Sequence, residues 1–276
     1  MQAHLHRISG NIQIQDHEFS WIVNYLQAKT GIALSHGKQA LVMGRLDKRL
    51  KKHHCKSYAE YFALLDCPGF EDETIAAIDL LTTNETYFFR EPKHFEFIRQ
   101  LAITNKFNNT LRIWSAASSS GEEAYSIAMV LAEHCRQSRW EILGSDISSK
   151  VLVKARRAMY PLASSNKIPT LLLKKYCLKG RDEYEDFFLI DRSLREKVEF
   201  REINLVHPFP DLGLFDVIFL RNVMIYFNKD TKDQLIHKLE QCLKPGGYFI
   251  VSHSETLANT RTCLRQLQPS IYQLVL

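Results

Sequence analysis

The chain has 276 residues, 45% of them hydrophobic and 24% charged, with a net charge of +5. That length allows one large or two modest domains with a sizeable core, and the composition is ordinary for a soluble globular protein. No apolar run approaches the ~20 residues of a membrane span, the opening MQAHLHRISGNIQIQ lacks the apolar core of a signal peptide, and six cysteines (Cys55, Cys67, Cys135, Cys177, Cys242, Cys263) without a CxxC pair fit reduced thiols of a cytoplasmic protein better than a disulfide framework or a zinc site.

The first ~85 residues read as a small helical bundle. DHEFSWIVNYLQAKTGI has apolar residues at helical spacing and stops at Gly31. KQALVMGRLDKRLKKH puts Val42, Leu46 and Leu50 on one stripe, with Arg45, Arg49 and Lys52 on an adjoining face. Charge is segregated here. Lys38, Arg45, Lys48, Arg49, Lys51, Lys52 and Lys56 face Asp47 alone, whereas Asp66, Glu71, Asp72, Glu73 and Asp79 follow with no basic residue before Arg90. CPGF at Cys67–Phe70 is a turn, and a further helix is expected to Leu81.

From Leu111 the pattern changes. LRIWSAA, WEILGSDI and FDVIFLRN read as strands, each followed by a helical pattern at Glu122–Cys135, Lys150–Tyr160 and Lys229–Leu243. GYFIVSHS and SIYQLVL read as further strands. Strands alternating with helices imply right-handed crossovers and a mainly parallel sheet. Tyr176–Phe200 breaks the alternation and reads as a small β insertion with a polar turn at Gly180–Asp186.

Ligands of such sheets bind beyond the carboxyl ends of the strands, which directs attention to Ser118–Glu123. A dinucleotide pyrophosphate wants GxGxxG and an uncluttered helix start. This turn has Gly121 alone, and Glu122 and Glu123 open the helix. They suit the helix dipole but would repel phosphate. A ligand with a cation and hydroxyls fits better, and S-adenosylmethionine is one. Asp146, at the end of the second strand and 25 residues past Gly121, stands where an acid commonly binds a ribose diol. Helix-end charge and a plain N-cap are the alternatives for these acids. The HSE run at His253–Glu255 has no GxSxG elbow to carry a nucleophile and reads as a strand-end polar cluster. His53–Cys55 has no second ligand pair to complete a metal site.

Five segments then resemble one family: TNETYFFREPKHF (Thr83–Phe95), WSAASSSGEEAYSIA (Trp114–Ala128), SDIS (Ser145–Ser148), FDVIFLRNVMIYF (Phe215–Phe227) and LKPGGYFIVSHSE (Leu243–Glu255). In combination and order they resemble the CheR family of chemotaxis-receptor protein-glutamate O-methyltransferases. The resemblance implies an all-α N-terminal domain (1–85) that recognises the receptor's methylation region. It also implies an α/β class I AdoMet-dependent methyltransferase domain (86–276), Rossmann-like, with a β-subdomain at about 176–202. It assigns Asn84, Thr86 and Arg90 to a segment closing over the cofactor. Glu122 and Glu123 form the acidic helix start, with Glu123 favoured for direct contact. Asp146 takes the ribose, Asn204 and Leu205 flank the adenine, and Arg221 and Asn222 lie beside the sulfonium. Tyr226 is placed where the substrate carboxylate arrives. Arg90 serves either that carboxylate or the cofactor's own.

Arg45, Arg49 and Lys52 are the expected docking residues for the receptor. The product is S-adenosylhomocysteine. No metal, nucleic acid or membrane insertion is expected, and the protein is expected to be a monomer. Family members that tether to a receptor's C-terminal peptide carry a Gly-x-Gly turn in the β-subdomain; Lys179–Asp186 has only Gly180, which argues against tethering. An RNA methyltransferase and a silent AdoMet-binding regulator are the rival classes. Against the first, the basic face lacks interleaved aromatics.

Overall fold

Gln15 and Glu18 open the first helix by a reciprocal capping box, and Gly31 closes it at a left-handed φ of 75°. Helix α1 (Asp16–Thr30) is followed by α2 (Gln39–Lys52), α3 (Tyr58–Leu65) and α4 (Glu71–Leu81). The computed structural model describes residues 12–35, 37–82, 85–104, 110–135 and 139–275. They divide into two units, Met1–Thr83 and Asn84–Leu276.

In the first unit the apolar stripe of α2 does what its spacing requires. Val42, Leu46 and Leu50 are fully buried and join Phe19, Ile22, Leu26, Tyr61 and Phe62 in one core. The basic face behaves differently from its expected exposure. Arg45 donates to the carbonyls of Leu81 (2.9 Å) and Thr82 (3.0 Å) at the end of α4, where the helix dipole is negative. Arg49 holds Glu73 through Nε (2.7 Å) and a second nitrogen. The hydroxyl of Tyr61 donates to Glu73 at 2.7 Å, and His53 lies 2.8 Å from it. Burial alone would raise the Glu73 carboxyl, but its bonds to Arg49, Tyr61 and His53 outweigh that and bring it down to about 2. Of the three expected docking residues only Lys52 is exposed, so Arg45 and Arg49 first of all knit α2 to the end and the start of α4.

The second unit begins with α5 (Pro92–Thr104), then β1 (Leu111–Ala116), α6 (Glu122–His134), β2 (Trp140–Asp146), α7 (Ser149–Arg157), β3 (Met159–Pro161), α8 (Thr170–Tyr176), β4 (Cys177–Lys179) and β5 (Phe187–Ile190). It continues through α9 (Arg192–Arg195), β6 (Val198–Glu202), β7 (Phe215–Leu220), α10 (Lys229–Glu240), β8 (Leu243–Ile250), β9 (Leu264–Gln268) and β10 (Ile271–Leu274). Seven strands form one sheet in the order β6-β2-β1-β7-β8-β10-β9. The first five are parallel, and β10 runs antiparallel to both β8 and β9. From β1 the chain winds outward to β2 and β6, then returns to the other side of β1 as β7. The switch point between β1 and β7 is therefore the expected ligand crevice.

Two boundaries of the β insertion differ from the sequence reading. The three-stranded antiparallel sheet has the order β3-β5-β4, so it takes in Met159–Pro161. It does not extend to 202, because Val198–Glu202 pairs in parallel with β2 in the main sheet. Helix α7 stops at Arg157 because Ala158 turns left-handed at φ 53°, a reversal that no glycine announces.

Candidate active site

The exit of β1 is built from tight left-handed turns. Ala117, Ser119 and Gly121 have φ of 64°, 49° and 94°. At Gly121 an added Cβ would stand 3.0–3.1 Å from Ala155, the Tyr160 hydroxyl and Phe200, and at that φ a side chain is strained in any case. The turn is held against β2. Ser118 N–H donates to the Ser145 carbonyl (2.7 Å), and Ser119 N–H donates to Asp146 Oδ2 (3.0 Å). Asp146 Oδ1 accepts from Ser148 N–H (3.0 Å). The buried Asp146 thus fixes the two loops that leave β1 and β2.

The two helix-start acids take different paths. Glu122 is buried, and the Ser120 hydroxyl reaches both its oxygens (3.0 and 2.8 Å). Burial pushes its carboxyl up, against the pull of that hydroxyl. Glu123 accepts from the Ser115 hydroxyl (2.7 Å) and from Arg221 (2.7 Å). Sequence reading treated Glu123 and Arg221 as separate contacts, but they form one ion pair. Arg221 also meets Glu91 (3.2 Å) and donates to the Arg90 carbonyl. Its side chain is only 2% exposed. One guanidinium against two carboxylates leaves a net charge of −1, which suits a cationic ligand and repels phosphate.

Arg90 sits between two left-handed residues, Phe89 (φ 55°) and Glu91 (φ 59°). Such residues persist only where surroundings hold them. Phe89 N–H donates to Ser126 of α6 (3.0 Å), and Glu91 is held by Arg221 and by the His253 N–H (3.2 Å). The Arg90 side chain is half-buried, donates to the Glu85 carbonyl (2.8 Å), and lies 5.6 Å from the Tyr87 ring centre. Thr86 is half-buried. Asn84 lies outside the described residues.

Beyond β7, Asn222 adopts φ 58° and Tyr226 closes a single 3-10 turn, Met224–Tyr226. After β6, Asn204 Oδ1 accepts from Val206 N–H (3.1 Å), and the buried Leu205 offers its carbonyl to Lys238. All the named residues except Asn84 and Thr86 are thereby placed at, or bonded to, the exits of β1, β2, β6 and β7.

Sequence reading missed Glu91 and His94, although both stand inside the quoted segments, while Glu255, read as part of a strand-end polar cluster, does bond Ser252 just past β8. His94 is fully buried, 2.7 Å from the Ser270 hydroxyl, and its ring lies 4.8 Å from that of His253. Burial, then Arg221 and His253, lower it to about 3, so the imidazole is neutral. Among the described residues Glu91, His94 and His253 bring ligating atoms within 4.8 Å of one another. Arg221 already engages Glu91, and Ser270 lies within hydrogen-bond reach of both imidazoles. His53, from the other histidine run, bonds Glu73.

The CheR methyltransferase all-alpha domain matches residues 17–82, and the CheR methyltransferase SAM binding domain matches residues 84–272. The chain belongs to the CheR methyltransferase family. It is similar to the chemotaxis protein methyltransferase of Borreliella burgdorferi, 36% identical with 99% of each chain covered. It is 38% identical to chemotaxis protein methyltransferase 2 of Pseudomonas aeruginosa, with 92% of each chain covered. The chemotaxis protein methyltransferase of Salmonella typhimurium is 34% identical, covering 92% of this chain and 88% of the relative.

This CheR methyltransferase is an S-adenosylmethionine-dependent enzyme with an all-α domain ahead of a SAM binding domain. The site fits that cofactor. Its charges are two carboxylates around one cation, its strand-end acid is buried beside the turn, and the buried Ser118 hydroxyl has no partner among the described residues. Among the described residues no helix is long and apolar enough to cross a membrane.

Proposed function

We propose that the enzyme esterifies glutamate side chains in the helical methylation region of methyl-accepting chemotaxis receptors. The observation that supports this reading best is the match, over nearly the whole chain, to proteins named chemotaxis protein methyltransferase. When bound, S-adenosylmethionine supplies an electrophilic methyl group on a sulfonium.

This chain's residues bind and align. Asp146 would accept hydrogen bonds from the ribose hydroxyls, Asn204 and Leu205 would flank the adenine, and the segment of Asn84 and Thr86, as the resemblance implies, would close over the cofactor. The Arg221–Glu123–Glu91 group gives the cofactor's cation a negative environment, and Asn222 lies next to it. Arg90 and Tyr226 orient the incoming carboxylate. No general base is required, because a glutamate with pKa near ~4.3 is already ionised at neutral pH. Because charge would be lost in such a transfer, exclusion of water from the site by these residues would favour it. Alignment supplies up to roughly 7–11 kcal/mol.

The basic helix that suggested RNA offers less than its sequence promised, since Arg45 and Arg49 are committed within the first unit. Receptor-tail tethering is not part of the proposal, and deleting a receptor's C-terminal tail should change methylation little.

The test is incubation with radiolabelled S-adenosylmethionine and receptor-containing membranes. Base-labile release of labelled methanol is expected, since a methyl ester is hydrolysed by base. Stable label on nucleic acid would overturn the reading. Tyr226→Phe and Arg90→Ala should lose methylation while keeping their melting temperatures. Activity lost only in proportion to folded protein would return either residue to a structural role.

A further inference from the structure

Strands β7 and β8 pair as far as Phe219 and Ile250, and beyond that point their chains diverge. The amides that follow β7 lose their ladder partners, and buried amides need acceptors. Glu255, buried four residues after Val251, supplies them. Its Oε2 accepts from Asn222 N–H (3.0 Å) and its Oε1 from Ile225 N–H (3.3 Å). The same carboxylate is anchored to its own strand end by Ser252, through N–H (3.0 Å) and hydroxyl (2.8 Å). One side chain therefore ties the exits of two adjacent parallel strands. The loop it serves holds a left-handed Asn222 and a single 3-10 turn ending at Tyr226, a conformation with little local support of its own.

We infer that Glu255 is a positioning residue for methyl transfer: it fixes the backbone of 222–226 and so places Asn222 and Tyr226. The inference rests on the reading in which that loop faces the reacting groups. A carboxylate is the right group because every contact it makes here is to a donor. A glutamine would keep the shape but turn an NH2 toward one of these donors.

The experiment is Glu255→Gln in the full chain. Amide hydrogen exchange, S-adenosylhomocysteine affinity by calorimetry, and steady-state methylation of receptor-containing membranes are measured below the melting transition. Exchange should quicken at 222–226 while the amides of β1, β2 and α6 keep their protection. The kcat should fall roughly ten- to a hundred-fold, as expected for displaced aligning groups, with the KM for S-adenosylmethionine changed far less. If this variant does not fold, Ser252→Ala removes one anchor of the same carboxylate and should give the same signature, smaller. Unchanged exchange at 222–226, with activity tracking the folded fraction, overturns the positioning role. A loosened loop with wild-type kcat overturns instead the reading beneath it, since the loop would then be held but unused.

Discussion

Asp146 ties two loops with one carboxylate. Its oxygens hold the amides of Ser119 and Ser148, and in the proposed complex they also face the ribose. Asp146→Asn keeps the shape but replaces one acceptor with a donor aimed at a backbone N–H. Calorimetry should show S-adenosylhomocysteine binding weakened by about 1–3 kcal/mol, the cost of unpaired buried polar groups. Wild-type affinity would remove Asp146 from the site. Its strand-end position was legible in the sequence. Glu91 was not, because its role depends on Arg221, far along the chain, and on a left-handed backbone that no glycine marks. Glu255 stood in a motif already singled out, yet nothing local says that its partners are the amides of Asn222 and Ile225.

At the scale of the element, α2 separates its charges by job. Arg49 is needed by Glu73, whereas Lys48 and Lys52 are exposed one turn apart, Lys52 reaching Glu73 only at 3.9 Å. Arg49→Glu should set two carboxylates together and destabilise the first unit by about 2 kcal/mol or more, given that a hydrogen bond to a charged group is worth about 1.5–3. Thermal melting of that unit checks it. Lys48→Glu with Lys52→Gln, which adds no carboxylate beside Glu73, should leave the melt nearly unchanged and lower receptor methylation, most steeply at low salt. Steering between exposed charges is screened over roughly 8 Å at physiological salt. Equal loss at all salt concentrations would exclude a steering role. The helices of the first unit, α6, α7, α10 and the central strands were readable because burial imposes a period on them, whereas α5, α8 and α9 were not singled out. Strand β3 was not: its three residues follow the left-handed Ala158 directly and read as the helix's last turn. Strand β9 escaped as well, since four of its five residues are exposed and carry no alternation.

For the whole molecule, the buried titrating groups predict an order of acid unfolding. His94 takes its proton near 6.5 when unfolded but only at about 3 in the fold. Its contribution is therefore fully present above pH 6.5 and is lost as pH falls toward 3. Glu73, depressed from 4.5 to about 2, contributes above 4.5 and loses that as pH falls toward 2. On acidification the Asn84–Leu276 unit should weaken first and the helical unit later. Hydrogen exchange resolved by segment across a pH series checks the order, and His94→Gln should flatten the first phase. A different constraint follows from the place of β10, wedged between β8 and β9 although it is made after every other strand of that sheet. While the chain is being synthesised, the helical unit has all its partners early, but the methyltransferase sheet cannot close until residues 271–274 have emerged. Until then β8 presents an open flank, His94 lacks Ser270, and the nascent protein is at its most vulnerable to proteases and to misassociation. Ribosomes stalled before codon 271 should therefore carry a protease-resistant helical unit joined to a protease-sensitive remainder.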